Sequence, residues 1–426
     1  MARIKPFKGI LYNASKTDIR KTVAPPYDVI SPAMQGDFYK SDKQNIIRLI
    51  LGRETPHDAP RDNKYTRAGQ YLNKWLADKM LLKDKKSSIY IYEQKYLHKG
   101  KKIKRIGFIA LMKIEDPAKS GVLPHEYTLA KPKKDRLKLI ASTKANLSPI
   151  FSLFEDKKNA VNKVLRHHTK KNAPVFSFET EGVNHALWRM TDGAPIKKIV
   201  NEMQDKKIFI ADGHHRYEVA FFYRNAMRGK STFRPAMGYV MMYFSNLSER
   251  GSLTILSTHR AVRNVNDPGH KKTKKLLQEY FVVEALREKS LLFELMEKEE
   301  KSRHALGMYA GQNVFYFLRL KRGLSLDKLI NSTKTRDLKR LDVTILHELI
   351  INQILGIKSV ESSIKYVRSE DDAIELVDGG GYEAAFFLKP TDINDMRKIA
   401  LKGVMMPQKS TYFYPKLLTG LVINKF

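Results

Sequence analysis

Apolar positions recur along the chain with two different periods, and the switches between them mark out its elements. From residue 65 to 82, Ala68, Leu72, Trp75, Leu76 and Met80 fall at helical spacing, which predicts a helix with one buried face. Residues 89–96 and 103–114 alternate or run apolar on either side of His98-Lys99-Gly100-Lys101, the pattern of a β-hairpin. Further on, Lys207-Ile208-Phe209-Ile210-Ala211 has the composition of a short buried strand. It stops at Asp212-Gly213, and residues 216–227 continue with helical character, carrying Val219, Ala220, Phe222 and Tyr223. A further strand is expected over 239–244. Towards the C-terminus, helices are expected over 271–280, 290–301, 341–355 and 392–402, and strands over 281–286, 313–319 and 384–389. The fold class is therefore α/β, of the mixed α+β kind.

Length adds a division into domains. At 426 residues the chain exceeds one ordinary core and suits two or three. We expect an N-terminal α/β region with the hairpin over 1–114, a central core over 115–265 and a C-terminal α/β domain over 266–426. The Pro-rich segment Ala24-Pro25-Pro26-Tyr27-Asp28 reads as a loop, because two prolines deny the backbone a helix. No apolar run approaches the roughly 18 residues that a membrane span needs. The basic start, Met1-Ala2-Arg3-Ile4-Lys5-Pro6-Phe7, lacks a following apolar core, so a cytoplasmic location and no membrane partner are expected.

Composition narrows the chemistry. The sequence has no cysteine, which excludes disulfides, thiolate metal sites and cysteine nucleophiles. Lysine and arginine number 78 against 45 acidic residues, a formal net charge of +33. Such an excess attracts nucleic acid, an acidic surface or phosphorylated small molecules. The lysines are spread along the chain, with clusters at 99–104 and 271–275, so charge alone does not choose among them.

The strand-to-helix junction at Asp212-Gly213-His214-His215-Arg216 carries the strongest local signal. A helix start presents backbone N–H groups and the positive end of the macrodipole. Gly213 permits a sharp turn and close approach of an anion. His214, His215 and Arg216 add side-chain donors, Arg216 as a bidentate fork. Asp212 stands at the strand end, placed to hold a metal or orient a histidine. By contrast, His167-His168 lies in a basic helical stretch without such a turn and reads as surface. A second constellation is Leu123-Pro124-His125-Glu126-Tyr127-Thr128, followed by Lys131-Pro132-Lys133-Lys134-Asp135-Arg136. Surrounding cations should keep Glu126 ionised, as a base or metal ligand requires. There is no G-x-x-x-x-G-K-[ST] loop, and His347-Glu348 does not continue as an H-E-x-x-H zinc motif. Gly379-Gly380-Gly381 reads as a turn between helix and strand.

At these residues the chain resembles the ParB/sulfiredoxin superfamily, in which a phosphate-binding motif follows a strand and opens a helix. Asp212-Gly213-His214-His215-Arg216 looks like the signature of its free-serine kinases, in particular the multi-domain branch with pyrophosphate-dependent members. Matching segments run from Val23-Ala24-Pro25-Pro26-Tyr27-Asp28-Val29-Ile30 through His125-Glu126 and Asn146-Leu147-Ser148-Pro149-Ile150-Phe151. The last is Met406-Pro407-Gln408-Lys409-Ser410-Thr411-Tyr412-Phe413-Tyr414-Pro415-Lys416.

The resemblance implies transfer of a phosphoryl group to the hydroxyl of free L-serine, giving O-phosphoserine, a step in serine metabolism and cysteine biosynthesis. Glu126 would be the base or metal-linked carboxylate. Asp212 would help hold Mg²⁺ or orient the cradle, and Gly213, His214, His215 and Arg216 would hold the donor phosphates. Asn146, Ser148 and Arg260 are candidates for the amino acid, and Lys409, Ser410 and Thr411 for contact with the donor. Concentrated cations without a nucleotide loop favour pyrophosphate over ATP or ADP. Two rival readings are a non-catalytic phosphate-ligand sensor and a ParB-like nucleotide-dependent DNA clamp; the clamp would need a helix-turn-helix after residue 230, where Met237 to Phe244 reads as strand, so nucleic acid is not the expected partner. Sulfiredoxin chemistry is excluded, because His214 stands where its cysteine would.

Overall fold

A computed structural model describes residues 2–116, 120–265, 267, 271–300, 303–330, 334–357 and 360–426. The chain divides into two compact units. The first comprises Met1–Pro124, Thr128–Thr254 and Pro415–Phe426; the second, His125–Tyr127 and Ile255–Tyr414.

The first unit is built on a nine-stranded mixed sheet. In chain order its strands are β1 (Ile4–Lys5), β2 (Ile89–His98), β3 (Lys101–Lys113), β4 (Val122–Leu123), β5 (Ile150–Phe154), β6 (Phe176–Thr180), β7 (Val183–Met190), β8 (Ile208–Asp212) and β9 (Tyr239–Asn246). Across the sheet they run β4-β8-β5-β9-β3-β2-β7-β6, with β1 paired to β3. The β8–β4 and β9–β5 pairs are parallel, and the rest are antiparallel.

The expected hairpin is β2–β3, in register from Tyr90↔Ile109 to His98↔Lys101. Its two turn residues, Lys99 and Gly100, both have positive φ (47° and 73°). Such a turn matches the twist of the two strands it joins.

Alternate residues of these strands share a face, and one face is the core. Ile91, Phe108, Phe154, Ile210 and Phe244 pack there against Val161 and Leu165 of the helix Ala160–Lys171 and Ile199 and Met203 of the helix Gly193–Met203. Helices of this unit include α1 (Lys64–Ala77), α2 (Ala130–Thr143), α3 (Ala160–Lys171), α4 (Gly193–Met203) and α5 (His214–Met227), with others at Ile19–Thr22, Pro32–Ser41 and Ile47–Ile50. Asn63 caps α1 by accepting from Tyr65 and Thr66 amides. The helix ends earlier than residue 82 because Lys79 turns left-handed (φ 58°), and Leu81–Lys83 becomes a short strand. His167 and His168 lie on α3, with His167 exposed.

The second unit has a six-stranded, wholly antiparallel sheet. Its strands are β10 (His259–Val262), β11 (Phe281–Leu286), β12 (Ala305–Tyr309), β13 (Phe315–Leu320), β14 (Ile364–Val367) and β15 (Ala384–Phe387), ordered β11-β13-β12-β15-β10-β14. Leu292 and Met296 of α7 (Lys289–Lys298) and Ala373 and Val377 of α8 (Glu370–Asp378) cover it. The expected helix over 290–301 is α7; residue 301 lies outside the described residues. Helices also form at Lys271–Tyr280 (α6) and Ile393–Leu401 (α9), as their apolar spacing predicts. The stretch expected as a helix over 341–355 begins at Asp342–Thr344 and continues with π-type bonding over Ile345–Ile354. Gly379-Gly380-Gly381 joins α8 to β15, the expected turn.

Candidate functional site

Strand β8 is buried as far as Ala211, and the chain emerges at Asp212, which is half-buried. Gly213 then takes φ 97° and forms the N-cap of α5. The backbone here favours glycine, and a Cβ would lie 2.8 Å from Arg216 Nη2, so it would also displace the guanidinium. The Gly213 carbonyl accepts the first helical bond, from Tyr217 N at 3.0 Å. Earlier amides of the turn point out of the helix start rather than along its ladder.

Arg216 folds back over this glycine. Its Nη2 donates to Asp212 Oδ2 at 2.7 Å and its Nη1 to the Pro149 carbonyl at 2.7 Å. The other Asp212 oxygen, Oδ1, accepts from Lys416 Nζ. Two cations therefore grip one carboxylate at the strand end. The backbone around Lys416 is held by two buried side chains of the sheet. Gln94 Nε2 donates to the Lys416 carbonyl at 3.0 Å, and the fully buried Arg105 donates to the Pro415 carbonyl. His214 is buried. His215 Nε2 accepts from Leu129 N at 2.8 Å, so a neutral ring carries its proton on Nδ1. One turn on, Glu218 accepts from Thr128 Oγ1 and from Lys133 Nζ, the latter at 2.9 Å.

Asn146 and Ser148 stand beside this cradle in the same unit. Together with Arg216 they line a cavity of about 60 Å³. Asn146 Oδ1 accepts from Met241 N (3.2 Å) and Asn424 Nδ2 (3.0 Å), and Ser148 Oγ bonds Thr419 Oγ1 at 3.0 Å.

The other expected residues gather in the second unit. Glu126 forms a bridge with Met406, and Met406 N donates to the His125 carbonyl at 2.7 Å. His125 Nε2 bonds Thr411 Oγ1 at 3.0 Å. Ser410 Oγ donates to the Pro407 carbonyl. Lys409 adopts φ 53°, and its carbonyl accepts from Arg260 Nη2 at 3.1 Å. Arg260 is almost wholly buried, donates to the Thr258 carbonyl, and lies 5.0 Å from the centre of the Tyr366 ring. Burial lowers its pKa to about 10, against the opposing influence of Tyr366 and the Glu126 carboxylate. Arg260 Nε donates to His347 Nε2 at 3.3 Å, which requires that nitrogen to be unprotonated. His347 is held neutral, its pKa pushed down to about 3 by burial and then by the Arg260 and Lys334 charges.

Thus Asn146, Ser148 and Asp212 to Arg216 come together in the first unit, and Glu126, Arg260, Lys409, Ser410 and Thr411 in the second. Lys416, His347 and Tyr366 were not singled out from the sequence. Lys416 had a signal, since it ends the Met406–Lys416 segment, but its partner is 204 residues away. Magnesium would fall to Asp212 in the first unit, yet both Asp212 oxygens already receive a cation. Among the described residues, no cluster of three or more His, Cys, Asp or Glu is placed to hold a metal ion. Asp212 here holds Arg216 and Lys416, and Glu126, the other candidate ligand, lies in the second unit.

The turn itself gives a test. Gly213→Ala places a side chain in the left-handed region and against Arg216, at an expected cost of about 1–2 kcal/mol. Chemical denaturation measures it; an unchanged midpoint would refute the described turn.

No curated protein matches the chain. Among solved structures, it is similar to a free serine kinase in complex with AMP, at 13% identity and a TM-score of 0.35, covering 72% of this chain and 86% of that one. It is also similar to a conserved hypothetical protein from Pyrococcus furiosus (12% identity, TM-score 0.36, 72% and 92% covered). A third similar structure is C-terminally truncated SbnI from Staphylococcus aureus (11% identity, TM-score 0.36, 73% and 85% covered). Residues 4–344 match the family described as "Protein of unknown function (DUF1015)", and the chain belongs to that family.

Proposed function

We propose that this protein is a phosphotransferase that moves a phosphoryl group from pyrophosphate, or from ATP or ADP, to the hydroxyl of free L-serine. The observation that carries the reading is the left-handed turn at Gly213, which opens a 14-residue helix directly after a buried strand. Arg216 and Lys416 converge on the carboxylate beside it. Phosphoryl transfer needs alignment and charge neutralisation more than covalent chemistry, and amides at a helix start with two cations supply both. In this reading residues 115–265 form a ParB/sulfiredoxin-like core, and Gly213, His214, His215 and Arg216 hold the donor phosphates. Asp212 positions Arg216 and Lys416, and Mg²⁺ arrives with the donor as its magnesium salt. Glu126 is the base for the serine hydroxyl. Arg260 orients the segment carrying Lys409, Ser410 and Thr411 through two carbonyls, Gln408 and Lys409.

The deciding experiment supplies Mg²⁺, L-serine and pyrophosphate, ATP or ADP in turn, and follows phosphoserine by phosphorus NMR. Product with one donor is expected. No product with any donor, combined with salt-sensitive binding to duplex DNA, would instead support a nucleotide-dependent DNA clamp. The segment after α5 counts against that rival, since it is a single 3₁₀ turn (Pro235–Gly238) followed by β9.

A further inference from the structure

The Pro-rich loop near the N-terminus has no part in the cradle, yet the fold places it beside one. Ala24 is bridged to Thr419, their backbones exchanging hydrogen bonds of 3.2 and 2.8 Å. Pro26 then opens a 3₁₀ turn over Tyr27–Val29. This delivers the Tyr27 ring onto the guanidinium of Arg136, whose Cζ lies 3.9 Å from the ring centre. Arg136 is on α2 and only 7% exposed. The pair forms one wall of the cavity of about 60 Å³ that Asn146, Ser148 and Arg216 also line.

The donors left over at this cavity define what it can hold. A guanidinium carries five N–H groups. Arg136 uses one on the Ile50 carbonyl and two on Asp135, which leaves one hydrogen on each of its terminal nitrogens. Arg216 spends two of its five on Pro149 and Asp212. Both acceptor positions of Asn146 Oδ1 are taken, so its amide can offer a ligand only N–H. The polar side of the cavity is thus rich in donors, two of them cationic, and suited to an oxyanion. Much of the remaining lining is aliphatic, including Ile50, Leu139, Ile140 and Val240. At about 60 Å³ the space suits a small molecule. A carboxylate on a short carbon stem meets all three conditions. A phosphate, which seeks donors on every side, meets them less well, and a nucleoside is too large.

We propose that this cavity is the acceptor subsite and that it holds a small free amino acid by its α-carboxylate, with Arg136 as the residue that recognises the carboxylate and Tyr27 as the shelf that fixes Arg136. The proposal rests on the kinase reading for its choice of L-serine, but its test does not depend on turnover.

Calorimetric titration of the full chain with L-serine, serinamide and inorganic phosphate, without any donor, provides the test. L-serine should bind and serinamide should bind at least ~10-fold more weakly, since a charged hydrogen-bond pair is lost. Arg136→Met should remove this preference. Because Arg136 also holds the Ile50 carbonyl, Ser148→Leu serves as a second variant that fills the cavity and should abolish L-serine binding. Equal binding of serinamide, or L-serine binding that survives both variants in folded protein, overturns the proposal. So does phosphate binding that both variants abolish while L-serine does not bind. L-serine binding as expected, with no phosphoserine from any donor, would sustain the subsite and defeat the kinase reading. Phosphoserine formation with an unchanged KM for serine in both variants would do the reverse.

Discussion

Replacing Glu126 with glutamine should lower turnover by ~10²–10⁴-fold, the range a positioned general base contributes, and should leave donor binding nearly unchanged. The substitution keeps the shape of the side chain and the backbone bridge to Met406, so the local fold is preserved. In the proposed role it removes the carboxylate that would take the hydroxyl proton. It also removes the negative charge that helps keep Arg260 protonated in its buried position. Turnover is measured as phosphoserine formed per unit time at saturating donor, and donor affinity by titration. Wild-type turnover in Glu126→Gln would show that another group serves as the base.

The second large effect is expected from Arg216→Ala. The side chain donates to the Asp212 carboxylate and to the Pro149 carbonyl while it overlies Gly213. Its loss removes a charge-assisted contact, of order 1.5–3 kcal/mol, so donor affinity should fall about 10–100-fold. Arg216 also lines the cavity with Ser148 and Arg136, so KM for serine should rise too. Arg136→Met should raise KM for serine alone. Steady-state kinetics with each substrate varied separate the two arginines. Unchanged donor affinity in Arg216→Ala would remove the cradle from the donor site.

Several parts of this picture were legible in the chain. The β2–β3 hairpin followed from two apolar runs and a Lys-Gly tip, because turn geometry and alternation are local properties. The junction of β8 and α5 was equally readable, since a buried strand, a glycine and a polar helix start are adjacent in sequence. The end of α1 was placed too late, because a single left-handed lysine at residue 79 leaves no trace in apolar spacing. Lys416 was missed for a different reason. Its approach to Asp212 depends on Arg105 and Gln94, buried polar residues whose contacts to Pro415 and Lys416 span more than 300 positions.

The amino-acid order alone determined the mixed α/β class, most element positions and the glycine-favouring turn at residue 213, all of which rest on short-range sterics and periodicity. Tertiary structure decided which charges meet. Asp212 acquired two cations, His347 became a neutral acceptor for Arg260, and Tyr27 was carried onto Arg136. These pairings arise when sheets and helices close on each other, and a side chain's partner across that closure is fixed by packing and desolvation rather than by its neighbours along the chain.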